Sequence, residues 1–378
     1  MQKNQLPKET LDFLKGTSSK EEDARVIAWY DQLDFTQQNT DELVNQISSR
    51  SKEKIFQKIG KEKNRASIYS WSRLVAAAVL LIVGFFAWKT ISRSNNLSQD
   101  ATESQLAMIK PARERAIITL ETGEEINLDN LKINESIQIG DITVVKNSQG
   151  QVSYINSKTG EPQMNSIRIP KASIYTVTLS DGSKVTLNSE SKLTYPSVFK
   201  NGDRTVVLEG EGYFEIEHTP NKDRFIVQTE QQEVEVLGTK FNIKAFDREN
   251  TTFTTLASGS VKVNSRSKPE HQVIKPGQQA YSARNGSLAI QAVDLEKVLG
   301  WTNGQFIFDG TNNKETFDEI ARWYDVDIQH QANSRNNEYI GKIPRHLTLD
   351  KLISLMNYAE IDIQARIDKN NRIKLLIN

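Results

Sequence analysis

The sequence predicts a multidomain chain: a small all-α head, one transmembrane helix, an all-β domain of layered sandwich or solenoid-like form, and a C-terminal α+β domain of two βαβ units. Three observations predict it. Apolar residues recur at helical spacing before residue 66, one uninterrupted apolar run covers Leu74 to Trp88, and a period-two pattern takes over from about residue 113. The boundaries are 1–66 for the head with its basic segment, 67–92 for the span, 93–112 for a linker, 113–293 for the all-β domain and 294–378 for the α+β domain.

Composition removes several functional classes. The 378 residues exceed one small module, and the absence of Cys excludes disulfide scaffolds, Cys-ligated zinc and thiol catalysis. The 48 Lys+Arg balance 48 Asp+Glu, so the whole chain lacks the basic excess of a nucleic-acid binder. That neutrality hides segregation. Residues 1–49 hold nine acids against five bases, and residues 50–73 hold eight bases against two acids.

In the head, Leu6, Leu11, Phe13 and Leu14 precede Gly16, a C-cap residue. Ser18 and Ser19 with Glu21 and Glu22 form overlapping capping boxes for a second helix, in which Val26, Trp29, Tyr30 and Leu33 repeat every three or four residues. A third starts near Thr40 with Leu43, Val44 and Ile47. Most of these side chains are expected to pack helix on helix. A head this small also leaves some exposed, where a partner would cover them.

The run Leu74–Trp88 has fifteen residues without a polar side chain. It covers about 22 Å of a hydrocarbon core about 30 Å thick. Ile68, Tyr69 and Ile91 extend it, and Trp71, Arg73, Trp88 and Lys89 are its expected interfacial anchors. Six bases lie in residues 53–73 against two in 89–109, which predicts a cytoplasmic N-terminus. The expected location is the inner membrane, single-pass, with the C-terminus in the periplasm.

The external body begins with a hairpin that repeats. Tyr175–Leu179, an Asp181-Gly182 turn and Lys184–Leu187 echo Ile118–Leu120, Thr122-Gly123 and Ile126–Leu128 at an offset of 59 residues. Further alternating segments run to Val263. After residue 304 the pattern is strand, helix, strand, twice over: Gln305–Phe308, Lys314–Tyr324 and Val326–Ile328, then Tyr339–Ile343, Thr348–Asn357 and Ile361–Ile367. The open edges of such a sheet can accept a strand from another protein.

Catalytic signals are weak. Leu208-Glu-Gly-Glu-Gly-Tyr-Phe-Glu-Ile-Glu-His218 offers Glu209, Glu211, Glu215 and Glu217 as paired carboxylates. All four occupy odd positions, with Leu208, Phe214 and Ile216 at even ones, the pattern of a solvated face opposite a buried one. His218, His271, His330 and His346 are too dispersed for a metal site, and no phosphate-binding loop or nucleophile elbow is present. An enzyme with turnover and a bound cofactor are both unexpected.

Several stretches together resemble the FecR-like family of membrane-anchored anti-sigma factors, in the form common in Bacteroidetes. They are Phe13–Gly16 with Glu21, Glu22 and Trp29; Leu179–Asn188; Leu208–Ile216; Val236–Asn242; Lys275–Gln278; and Trp301 with Arg322–Val326. The C-terminal domain is similar to the short domain shared by secretins and TonB-dependent transporters. The resemblance implies an extracytoplasmic-function sigma factor held by the head through Leu11, Phe13, Leu14, Val26, Trp29, Tyr30 and Leu33. It also implies docking of a transporter's signalling domain on Phe306, Phe308, Trp323, Tyr324, Ile340 and Ile343, with site-specific proteases as the relay. Some family members cut themselves at a Gly-Thr bond, and Gly238-Thr239 stands in the matching motif; an ordinary turn or bulge is the competing reading. A membrane-anchored glycan-binding or envelope-assembly module is the alternative function.

Overall fold

The computed structural model describes residues 99–139, 142–146, 152–156, 162–200, 202–310, 313–330 and 339–377, and these belong to one unit, Gln99–Asn378. The chain enters with β1 (Gln99–Asp100), α1 (Glu103–Met108) and β2 (Arg113–Glu114), then runs through β3 (Ile117–Thr119), β4 (Glu125–Asn127), β5 (Ser136–Ile139), β6 (Ile142–Lys146), β7 (Val152–Asn156) and β8 (Met164–Arg168). The middle holds β9 (Ser173–Thr178), β10 (Lys184–Leu187), β11 (Lys192–Pro196), β12 (Arg204–Glu215), β13 (Phe225–Gln228), β14 (Gln232–Val236), β15 (Lys240–Ala245) and β16 (Thr251–Ser258). It closes with β17 (Val261–Ser265), β18 (His271–Ile274), β19 (Gln278–Ala283) and β20 (Leu288–Ala292).

These strands make two sheets that share one member. The first half of β12 pairs with β11 and β13; from Gly210 onward it pairs with β10 and β15. Gly210 sits at the crossing with φ +94°, a conformation that glycine adopts without steric cost. Between the sheets lies a core in which Phe214 stacks on Phe241 at 5.0 Å, beside Val185, Leu187, Val206 and Leu256, all buried. Each such side chain contributes roughly 1.5–3 kcal/mol of burial. The two echoed hairpins have the same turn chemistry: Gly123 N donates to Leu120 O (2.8 Å) and Gly182 N to Leu179 O (3.0 Å), both glycines at positive φ. They belong to different sheets, β3 pairing with β8 and β10 with β12.

The C-terminal part holds α2 (Leu295–Leu299), β21 (Gln305–Asp309), α3 (Asn313–Tyr324), β22 (Asp327–His330), β23 (Ile340–Pro344), α4 (Leu349–Tyr358), β24 (Ile363–Ile367) and β25 (Ile373–Ile377). The expected pair of βαβ units is corrected. β21 and β23 form their own antiparallel two-stranded sheet, and β22 lies in a four-stranded sheet ordered β1-β24-β25-β22. The helices therefore connect strands of two different sheets, whereas a βαβ unit needs both strands side by side in one.

Residues expected to be linker complete this domain. Gln99 and Asp100 pair with Ile367 and Arg366, Ala101 N donates to Ala365 O (2.9 Å), and α1, closed by a Thr102–Gln105 capping box, packs on α4. Leu349 N donates to Ile109 O (3.1 Å). At the other end of β24, the Asn357 side chain takes the place of a strand: its Oδ1 accepts from Ile363 N (2.7 Å) and its Nδ2 donates to Ile363 O (3.2 Å).

The expected fold class is corrected as a whole. The described chain is mostly β, and among the described residues no helix is long and apolar enough to cross a membrane. The all-α head (1–66) and the helix at 67–92, with Trp71, Arg73, Trp88 and Lys89, were expected in a stretch that lies outside the described residues.

Candidate functional site

Four of the stretches that carry the family resemblance end at one place. Asn188 opens the turn after β10, Glu211 follows Gly210 on β12, Asn242 lies on β15 and Trp301 follows α2. Trp301 Nε1 donates to Asn242 Oδ1 (3.1 Å), and Asn242 Nδ2 donates to Glu211 Oε1 (3.1 Å). From the other side Asn188 Nδ2 donates to Glu211 Oε2 (2.9 Å), while its Oδ1 accepts from Ser189 N (2.9 Å). An indole N–H and a backbone N–H can only donate, so both amides are fixed in orientation and both carboxylate oxygens must accept. Burial raises the Glu211 carboxyl above the ordinary carboxylate range; Lys244 and the Asn188 bond oppose it.

The expectation that all four Glu face solvent is therefore corrected at Glu211, which is 5% exposed, while Glu209 is exposed and pairs with Lys192 (3.3 Å). The alternation itself is sound, since Glu211 points away from the β core. What covers it is the C-terminal part of the chain, seated on the outer face of β12, β15, β16 and β19. Trp301 and Arg322 bring it there: the Arg322 guanidinium lies 4.4 Å from the centre of the Phe246 ring, and Ala172 N donates to Arg322 O (2.9 Å). A cavity of about 560 Å³ remains at this junction, lined by Glu211, Lys244, Gln279, Gln291, Trp301 and Arg322 among others. Lys244, opposite Glu211 in the strand register, has its ammonium held above its ordinary value: burial disfavours the charge, and Glu249, Glu315 and Glu211 outweigh burial.

The residues expected to bind a transporter's signalling domain are mostly interior. Phe306, Phe308, Trp323, Tyr324 and Ile343 are buried, and only Ile340, at 58% exposure on β23, is at the surface. They hold the α+β core together. Arg345 lies over the rings of Phe306 (4.5 Å) and Trp323 (4.8 Å), Trp323 Nε1 donates to Arg345 O (3.0 Å), and Tyr324 Oη to Leu347 O (2.8 Å). The expected sigma-factor residues, Leu11, Phe13, Leu14, Val26, Trp29, Tyr30 and Leu33, lie outside the described residues.

Gly238 and Thr239 connect β14 to β15, next to a register shift between Lys240 and Phe241. A Cβ at Gly238 would lie 2.4 Å from the His218 ring, so a larger residue there would have to displace that exposed side chain. Thr239 is buried and its Oγ1 donates to Ser260 O (3.1 Å). The hydroxyl is thus oriented by a carbonyl that cannot take its proton. Among the described residues no group of three or more His, Cys, Asp or Glu could hold a metal ion.

Comparison with known proteins finds a matching segment inside each of these two parts. Residues 165–270 match the family model described as FecR protein, and residues 305–375 the one described as FecR, C-terminal. Two solved structures of a candidate anti-sigma factor from Parabacteroides distasonis are similar to the chain. The first, at 2.50 Å resolution, is 26% identical over 57% of this chain and 99% of its own, with a TM-score of 0.49. The second, at 1.65 Å, is 27% identical over 56% and 97%, with a TM-score of 0.48. A search of the curated proteins gave no match. The chain thus carries a segment that matches FecR followed by one that matches the FecR C-terminal region, and the resembling motifs meet where the two join.

Proposed function

We propose that the chain is a sigma-factor regulator that relays a signal from a TonB-dependent outer-membrane transporter to an extracytoplasmic-function sigma factor. In this reading residues 1–66 hold the sigma factor in the cytoplasm, and the body from residue 99 meets the transporter's signalling domain in the periplasm. The observation that carries it is the route of the chain after residue 98. Its first elements, β1 and α1, are part of the α+β domain's sheet and helix layer, and only at β2 does the chain enter the β body. A partner that docks on the α+β domain can therefore act on the segment next to residue 98 without moving the β body. On that domain Ile340, Tyr358 and Met108 are the large apolar side chains at the surface among the described residues. They replace the buried aromatic residues as the docking candidates.

The role follows from binding and release, with no turnover. The test is to purify the full chain from its own cell extract and identify what accompanies it. A sigma factor is expected with the wild type and is lost when Trp29 and Leu33 are changed together to Ala. Recovery of no sigma factor with the wild type ends this reading.

A further inference from the structure

Arg322 sits on Phe246 at the junction and its charge acts on the Glu211 carboxyl, but its guanidinium has no direct polar partner among the described residues. It is 5% exposed, it has no ion pair or side-chain hydrogen bond among the described residues, and its Nε is buried without an acceptor. The Phe246 ring is its one side-chain contact of note, and an aromatic face offsets only part of the cost of a buried guanidinium. The other cations in the cavity wall are matched: Lys244 pairs with Glu249 (3.2 Å) and Lys297 with Asp309 (2.5 Å). The Glu319 carboxylate is likewise taken by Arg345.

The remaining wall is mixed: Glu211, Asp294 and Glu315 contribute carboxyl groups, Val293, Val298 and Ile307 are apolar, and side-chain amides supply the rest. Gln279 Nε2 donates to Thr255 Oγ1 (2.7 Å), and Gln291 Nε2 donates to Gln279 Oε1 (2.9 Å), so the amides form a chain whose Gln291 carbonyl makes no bond with a described group. Gln305 and the half-buried Phe253 ring complete that side. A volume of about 560 Å³ lies within the range of sites that enclose small ligands, roughly 300–1,000 Å³. Such sites are also frequent where two domains meet.

We propose that this cavity binds a small hydroxylated carboxylate of the sugar-acid class, its carboxylate on Arg322 and its hydroxyls on the amides of Gln279, Gln291 and Gln305. Binding would place a ligand between the FecR domain and the C-terminal domain, and so tie a soluble metabolite to the cohesion of the two. The inference stands on Arg322 and the cavity, independently of whether residues 1–66 bind a sigma factor.

The test is calorimetric titration of the full chain with glucuronate, and with glucose as the uncharged counterpart. Saturable binding of glucuronate is expected, with glucose at least about tenfold weaker. Arg322→Gln should weaken glucuronate by about tenfold or more, and Gln291→Ala by a few-fold. Glu315→Gln, which removes a negative charge from the mouth, should tighten it about twofold to threefold. If Arg322→Gln does not fold, the Gln291 and Glu315 variants still locate the site. The proposal is overturned if glucuronate gives no saturable heat up to about 20 mM. Equal binding of glucose, or glucuronate affinity unchanged in the variants that fold, overturns it as well.

Discussion

Replacing Gly210 by Ala tests whether the crossing of β12 between sheets is as tight as described. A Cβ there would stand 2.5 Å from Ser191 Oγ, 2.7 Å from its Cα and 2.8 Å from its Cβ. Ser191 cannot retreat freely, because its Oγ accepts from Glu211 N (2.8 Å) and donates to Glu211 O (3.1 Å). Overpacking costs typically about 1–3 kcal/mol, and each displaced hydrogen bond about 1 kcal/mol. Positive φ adds a further ~1–2 kcal/mol. That last contribution can be isolated with Gly277→Ala, since Gly277 has φ +80° and open space where its Cβ would be. Gly210→Ala should therefore be less stable than Gly277→Ala by about 2–4 kcal/mol, measured as the difference in urea midpoints at equal m-values. The matching difference in melting temperature is about 5–10 °C. If the two variants agree within about 0.5 kcal/mol, the contact with Ser191 is not what holds the crossing.

Four further outcomes follow from the same structure. Trp301→Phe keeps a ring but removes the donor to buried Asn242 Oδ1, and should cost about 2–3 kcal/mol in urea unfolding; a loss under about 0.5 kcal/mol would show that the junction does not need it. Glu235 is 11% exposed and its carboxyl is lowered to about 2: burial alone would raise it, but Lys262, Asn264 and Arg224 outweigh burial. Its contribution is present above its unfolded value near 4.5 and is lost as pH falls through about 2, so Glu235→Gln should flatten the acid limb of stability by on the order of 2 kcal/mol. Ala101→Pro removes the donor to Ala365 O and should speed tryptic cleavage at Arg113 or Arg115 about fivefold, read by mass spectrometry; an unchanged rate means β1 is not what protects the segment. Self-cleavage at Gly238-Thr239 requires two fragments from the wild type on a denaturing gel and one band from Thr239→Ala; the same single band from both ends that idea.

Much of the β body was legible in the sequence because a strand shows its two faces by alternation. Leu208, Phe214 and Ile216 are inside as their parity requires, and the Gly123 and Gly182 turns close the hairpins that their sequences imply. Glu211 shows the limit of that reading. Parity tells which residues leave the core, but not whether another part of the chain, ninety residues on, covers them. Trp301 and Arg322 were visible only as motif residues, and the polar chain from Ser189 to Trp301 depends on four segments that no local window contains together. The α+β domain failed differently. Its helices and strands are where the helical and alternating periods place them, but local periods carry no information about which strands pair, so β21 and β23 in one sheet and β1 in the other could not be read. Phe306, Trp323 and Tyr324 are docking residues only by the family resemblance; aromatic residues suit cores as well as interfaces, and a domain this small uses them in its core.

The strand Arg204–Glu215 has a consequence for how the protein comes apart. Twelve residues serve first one sheet and then the other, so neither sheet can lose its central strand without pulling on its counterpart. Amide protons on both sides of Gly210 should then exchange only through global opening, with one shared free energy, while those of the two-residue β1 exchange through local fraying far below it. A FecR domain built this way is a single cooperative block, and the freedom that a signal could exploit is concentrated at the short strand that leads into it.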